Sequence, residues 1–179
     1  MPTDTRIAVV LVVALLPACA LGADPSPAIA AETPLQTLRG VVVPGEVDVP
    51  SSWTVKRNAS VIAAQGDGMQ ILLSSDTSSG DSAAAAKVAC DGARELMPGA
   101  TCTAGRPIPL AGHEWLEYTV TATVEKTAMT FLNFTYSGPE GTFTIIGQVR
   151  TEELGQKRDA LDRYMRTFRF PQAAPARKP

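Results

Sequence analysis

His113-Glu114-Trp115-Leu116-Glu117-Tyr118-Thr119-Val120-Thr121-Ala122-Thr123-Val124 is the stretch that decides the fold. Leu116, Tyr118, Val120, Ala122 and Val124 alternate with Trp115, Glu117, Thr119, Thr121 and Thr123. That is the period-two pattern of a strand. Two more apolar runs follow, Met129 to Tyr136 and Thr142 to Val149. The connections are Glu125-Lys126-Thr127-Ala128 and Ser137-Gly138-Pro139-Glu140-Gly141. Both are too short for a parallel crossover, so the three strands form an antiparallel meander. Phe131 stands beside Leu132, and Ile145 beside Ile146. Adjacent strand residues point to opposite faces, so both faces of this sheet must be covered. The expected class is α+β: a central antiparallel sheet covered by helices, an α/β/α sandwich.

Working outward, Ser60 to Ala64 and Met69 to Ser75 predict two further strands joined by Gln65-Gly66-Asp67-Gly68, a hairpin signal. Gly40 to Val43, Val47 to Val49 and Trp53 to Lys56 predict short extended pieces. Asp81 predicts the cap of a helix running to Met97, ended by Pro98-Gly99. Its buried side is mostly alanine, with Lys87, Asp91 and Arg94 on the wet side. Cys102 to Arg106 predicts a short strand and Pro107 to Gly112 a loop. Thr151 predicts the cap of a second helix, with Leu154, Leu161, Tyr164, Met165 and Phe168 on one side. Asp159/Arg163 and Asp162/Arg166 predict ion pairs on the other.

The chain of 179 residues is long enough for one domain with a core. Its 16 Lys+Arg against 18 Asp+Glu give a net charge of −2, which argues against a nucleic-acid surface. Residues 1–22 read as a signal peptide: Arg6, then the apolar run Ile7 to Leu16, too short to span a bilayer. Two processing points compete and stay open. Leu16-Pro17-Ala18-Cys19 resembles a lipobox, which would lipidate Cys19, although Pro17 departs from that pattern. Ala20 and Gly22 instead suit ordinary cleavage after Gly22. Residues 23–37 read as a flexible Pro/Ala tether, 38–171 as the domain and 172–179 as a disordered tail. The expected location is the periplasm or cell envelope, soluble or lipid-anchored to an outer membrane.

Cys90 and Cys102 remain in the folded part, an even number in an oxidising compartment, and predict a disulfide. His113-Glu114-Trp115-Leu116-Glu117 is not a zinc-protease helix: a strand follows, and the chain has one His. No Gly-x-Ser-x-Gly occurs, and the Gly-containing segments are turns, not phosphate cradles. Trp53 and Trp115 read as core residues. Asn58-Ala59-Ser60 and Asn133-Phe134-Thr135 match a glycosylation sequon. No catalytic, cofactor-binding or metal residue is assigned.

Three features resemble the PsbP/DcrB superfamily of exported proteins. They are Val49-Pro50-Ser51-Ser52-Trp53-Thr54-Val55, Pro109-Leu110-Ala111-Gly112-His113-Glu114-Trp115, and Leu161 to Phe170 closing on Thr167-Phe168-Arg169-Phe170. The resemblance covers Leu38 to Pro171 and implies an antiparallel sheet between helices. It also implies accessory roles: extrinsic or lipid-anchored proteins, a nuclear Ran-binding relative and chaperones for secreted toxins, mostly not enzymes. No binding residue carries over from it. The expected function is a non-catalytic envelope protein that binds or scaffolds another protein, without a cofactor and without nucleic acid. The alternatives are an immunity or inhibitor protein against a secreted toxin or hydrolase, and a hydrolase with an unrecognised site.

Overall fold

The computed structural model describes residues 33–171. The expected signal peptide, Cys19, residues 23–32 of the expected tether and the tail 172–179 lie outside the described residues. Ten strands and two helices follow in order: β1 (Leu35–Arg39), β2 (Glu46–Pro50), β3 (Thr54–Arg57), β4 (Val61–Gly66), β5 (Met69–Asp76), α1 (Ser82–Leu96), β6 (Thr101–Cys102), β7 (Arg106–Leu110), β8 (His113–Val124), β9 (Thr127–Gly138), β10 (Gly141–Arg150) and α2 (Leu154–Met165). The main sheet runs β3-β4-β5-β10-β9-β8, with β6 and β7 both pairing with β8, all antiparallel. β1 and β2 form a separate two-stranded ribbon.

The meander is β8-β9-β10, as its alternation predicts. Its first link is tighter than expected: Glu125 and Lys126 turn alone, with φ of 47° and 69°. Asp67 and Gly68 (φ 53° and 67°) turn β4 into β5. Two consecutive left-handed residues match the right-handed twist of the strands they join, which is why such turns close hairpins.

The sheet is covered on both sides. α2 packs on β10 and β2, over a core that includes Trp115, Phe134, Phe143, Leu161, Met165 and Phe168. α1 lies over β8 and β9 on the opposite face. Asp81 caps α1, accepting from the backbone N–H of Ala83 (3.2 Å) and Ala84 (3.3 Å). The predicted wet side of α1 forms its pairs, with Lys87 and Arg94 both on Asp91 at 2.6 and 3.0 Å.

Several expectations are corrected. Cys102 to Arg106 is not one strand: β6 ends at Cys102 and β7 begins at Arg106. Residues 107–110, expected as loop, belong to β7, which turns into β8 through Ala111 and Gly112 (φ 51° and 81°). Pro107 and Pro109 lack an N–H, and an edge strand tolerates that; Ile108 and Leu110 are buried. Thr151 does not cap α2. It opens a 3-10 turn, Thr151–Glu153, that runs into the helix, and its hydroxyl bonds Thr130 at 3.0 Å. The folded part begins at Leu35, three residues before the expected 38, because Leu35 to Arg39 pair with β2 and bury Leu38. Val41 to Val43 bend rather than extend; Ser75 Oγ accepts from the Val43 N–H and donates to its carbonyl. Asp162–Arg166 forms as predicted at 2.6 Å, while Arg163 lies over the Tyr164 ring at 5.1 Å.

Candidate functional site

The α1 face of the sheet is where the packing opens. Alanine at 85, 89 and 93 brings little side-chain volume under the helix, and a recess of about 250 Å³ lies between it and the sheet. A second hollow of about 280 Å³ flanks the other side of α1, beside Ala86, Cys90 and Leu116.

Strand register gives the recess its floor. β9 directs Asn133, Thr135 and Ser137 to this face, and β10 sets Thr144 opposite Thr135 and Thr142 opposite Ser137. β5 extends the rows with Ser74 opposite Thr144 and Asp76 opposite Thr142. The hydroxyls meet: Ser137 and Thr142 at 2.6 Å, Thr135 and Thr144 at 3.3 Å, Ser78 and Thr142 at 3.0 Å. Tyr118 reaches Thr135 at 3.3 Å from β8, and burial raises its phenol pKa, so it stays protonated. Asn133, 4% exposed, donates its amide to the Phe131 carbonyl at 2.9 Å. Ser74, half-buried, lines the same recess.

Two residues further along each strand the floor turns apolar, with Leu72, Ile146, Phe131 and Val120 under Ala93 and Met97. The recess is therefore polar toward the start of α1 and hydrocarbon toward its end. Asp76 and Asp81 stand at the polar mouth, and no Lys or Arg among the described residues lines it. Asp76 accepts from the Ser78 backbone at 2.7 Å and from the Ser78 hydroxyl. Val88, on the rim, is 47% exposed, and Leu96, two turns further along α1, is 58% exposed.

The residues singled out in the sequence lie mostly elsewhere. Cys90 and Cys102 are joined as a disulfide with Cα atoms 6.2 Å apart, tying α1 to β6. His113 starts β8 on the α2 side; its ring packs on Tyr136 and Phe170 at 4.9 and 5.1 Å. Its Nε2 is 3.7 Å from Glu140, to which the Tyr136 hydroxyl donates. Burial and that carboxylate push Tyr136 up to about 12, and the Tyr136 bond holds Glu140 below its usual range. Glu117 cannot share a metal with His113. Four residues of strand span about 13 Å, and Glu117, 5% exposed, is held by Arg106 (2.7 Å) and Arg158 (3.2 Å). Among the described residues no group of three His, Cys, Asp or Glu is placed to hold a metal, and no helix is long and apolar enough to cross a membrane.

Trp115 is fully buried, and Trp53 donates its indole N–H to Asp67 at 3.0 Å, pinning the β4–β5 turn. Asn58 accepts from the backbone of Ser60 and Val61, making a local turn. The second sequon asparagine, Asn133, lies in the floor of the recess. The recess itself escaped the sequence reading. Its trace was there: Asn133-x-Thr135-x-Ser137, Thr142-x-Thr144 and Ser74-x-Asp76 put polar groups at every second position of strands otherwise apolar.

No family model matches the sequence, and no curated protein matches it. Solved structures do. The cyanobacterial PsbP protein CyanoP from Synechocystis sp. PCC 6803 superposes with a TM-score of 0.57 at 10% identity, over 82% of this chain and 98% of its own. PA94, a Pseudomonas aeruginosa protein of unknown function, gives 0.51 at 18% identity, over 78% and 99%. LpqN, involved in cell envelope biogenesis of Mycobacterium tuberculosis, is a looser superposition at 0.47 and 16% identity, over 77% and 91%. The class is an α+β sandwich around an antiparallel sheet. The fold is that of the cyanobacterial PsbP protein.

Proposed function

We propose that this chain is a non-catalytic accessory protein of the cell envelope that holds a protein partner outside the cytoplasm. The observation that supports binding over catalysis is the lining of the recess. Hydroxyls, one amide and hydrocarbon hold a guest by hydrogen bonds and burial, with Asp76 and Asp81 at the mouth; among the described lining residues there is no His, Cys or Lys to complete a nucleophile, base and orienting acid. Export is supported by the leader-like residues 1–22 and by the Cys90–Cys102 bridge, a bond that persists in oxidising compartments. Val88 and Leu96, eight residues apart along one side of α1, give the partner apolar surface to cover.

The test is site-specific photocrosslinking in envelope extracts, with the crosslinker at Val88 and, as a control, at Thr123 on the far end of β8. A discrete protein adduct from position 88 and none from 123 is the expected result. A secreted toxin or hydrolase in that adduct would favour the inhibitor role. No adduct, with hydrolysis of an envelope polymer by the purified domain, would overturn the reading. Mass spectrometry of the mature N-terminus decides the anchor: a diacylated Cys19 or an unmodified Ala23.

A further inference from the structure

We infer that the recess under α1 is a binding site for an uncharged amphiphile, an alkyl chain carrying a hydroxylated head. The inference does not depend on the protein partner proposed above, since the recess is described by its own lining.

Shape comes first. From Ser137 to Phe131 the floor follows six residues of β9, about 20 Å of strand at ~3.4 Å per residue. The recess is thus long, and its 250 Å³ exceeds the ~150 Å³ of an engineered apolar cavity that takes benzene. Along that length the lining runs from two polar rows, Ser137–Thr142–Asp76 and Thr135–Thr144–Ser74, through a mixed row in which Asn133 faces Ile146, to hydrocarbon at Phe131 and Val120. Leu72, Ile146, Phe131 and Met97 offer hydrocarbon toward one end. At the other end, Ser74, Thr144, Asn133 and Tyr118 offer donors and acceptors. The Asn133 oxygen takes a donor, and the Ser74 hydroxyl, two strands away, takes either. Separate hydroxyls of one head suit the two, because each donates once and accepts twice.

Charge settles the class of head. An anion would meet Asp76 and Asp81 at the mouth, with no Lys or Arg among the described lining residues to answer it. The start of α1 would ordinarily attract an anion, but Asp81 already occupies the N–H groups of Ala83 and Ala84. A cation drawn inward past the two carboxylates would leave water for neutral hydroxyls, an exchange that disfavours the charged form. The uncharged head is the one that the inner polar surface fits.

The experiment is methyl NMR on the oxidised mature protein, titrated with n-octanol, octanoate and octylammonium at pH 7. Expected are saturable shifts of the Met97, Ile146 and Leu72 methyls with octanol, and binding at least about tenfold weaker for both charged probes, the scale set by losing one charge-neutral contact and gaining an unpaired charge. Thr144→Val should weaken octanol by about two- to tenfold, the worth of one hydrogen bond. Ala89→Leu should abolish the shifts by filling the recess. Should that variant fail to fold, the probe series and Thr144→Val decide alone. Equal binding of octanoate or octylammonium, or shifts confined to Val88 and Leu96 on the surface of α1, would overturn the inference. So would recess-methyl shifts that vary with protein concentration before any probe is added, which would mark a second copy as the occupant.

Discussion

The two faces of one sheet are packed by opposite rules. On the α2 side, Trp115, Tyr136, Phe143, Phe168 and Phe170 meet edge to face or stacked, with centroids 4.7–6.5 Å apart. α2 presses so close to β10 that a Cβ on Gly147 would stand 2.8 Å from the Met165 sulfur. On the α1 side the helix brings alanines, leaves a recess and is fastened by a disulfide. A large side chain on the first face is held by contacts all round; on the second it borders open space. The lesson is a division of labour: one face stabilises the fold, and the other keeps room for a guest.

The largest expected effect compares two phenylalanines. Phe143 is fully buried on the α2 side and Phe131 is 3% exposed on the recess side. Phe143→Ala should cost about 3–5 kcal/mol. Phe131→Ala should cost at least about 1 kcal/mol less, because part of its surface already lacks packing partners. Urea denaturation of both variants measures the gap, and equal losses would break the contrast between the faces.

Next comes the fastening of α1. Cys90 and Cys102 are separated by 12 positions, and loop-closure entropy for a ring of that size gives about 3 kcal/mol. The Cys90→Ala/Cys102→Ala variant should lose roughly that amount, with the loss of order centred on α1 rather than α2 in hydrogen exchange. Labelling of the unreduced, denatured protein should find neither thiol, and both after reduction. Two free thiols without reductant would remove the bridge from the account.

How much of this was legible in the sequence follows from which contacts set each feature. The meander is written locally, in the alternation from Leu116 to Val124 and the short links after it. α1 is equally local, since Asp81 and Pro98-Gly99 mark its ends. The disulfide was expected from the even number of cysteines outside the leader-like residues 1–22. β7 was hidden because Pro107 and Pro109 read as loop, whereas an edge strand needs fewer donors. Thr151 read as a cap, but its hydroxyl is spent on Thr130, a partner 21 positions away that no local pattern names. The recess was hidden for the same reason. Thr144, Thr135 and Ser74 become a row only when three strands are set in register. Its emptiness depends on which residues α1 happens to place above that row.

The tightness at Gly147 gives the third test. Gly147→Ala should cost about 1–3 kcal/mol, because the new methyl must displace Met165 and Leu161 from a filled core. A neutral result in a thermal melt would mean that α2 can ride up and that the dense face is softer than its contacts suggest.

A smaller effect belongs to the charges that tie the β1–β2 ribbon to the end of the chain. Arg169 bonds Asp48 at 2.7 and 3.2 Å and Glu46 at 2.9 Å. The Arg169 hydrogen bond holds the Asp48 carboxyl below its ordinary pKa. A lowered folded-state pKa means that the unfolded chain takes up the proton first. The stability this adds is fully present above about pH 4, the unfolded carboxylate value, and is lost as pH falls through the folded one. Arg169 is 44% exposed, so solvent screening keeps the pair to at most about 1 kcal/mol. Arg169→Gln should therefore differ from wild type by that much at pH 6 and converge with it as the pH falls below the lowered Asp48 value. A constant gap across that range would locate the effect in packing instead.

The smallest effect reverses the sign. Ala89 is half-buried on the recess side of α1, packed at the edge of the α1-side core and bordering the recess. Replacing it with leucine keeps a strong helix former at an interior helical position. The added carbons extend over Leu72 and Ile146, removing apolar surface from water without evicting a side chain. Filling a hollow in this way should stabilise by about 0.5 kcal/mol, near the lower end of what cavity-filling changes yield. Gly147→Ala adds a single carbon and should destabilise, while Ala89→Leu adds three and should not. Only a difference in available space explains that inversion, because both changes add hydrophobic volume, one inside strand β10 and one inside helix α1, and glycine to alanine by itself favours the ordered backbone. If Ala89→Leu lowers the thermal midpoint as Gly147→Ala does, the α1 face is as full as the α2 face, and the recess cannot hold a guest.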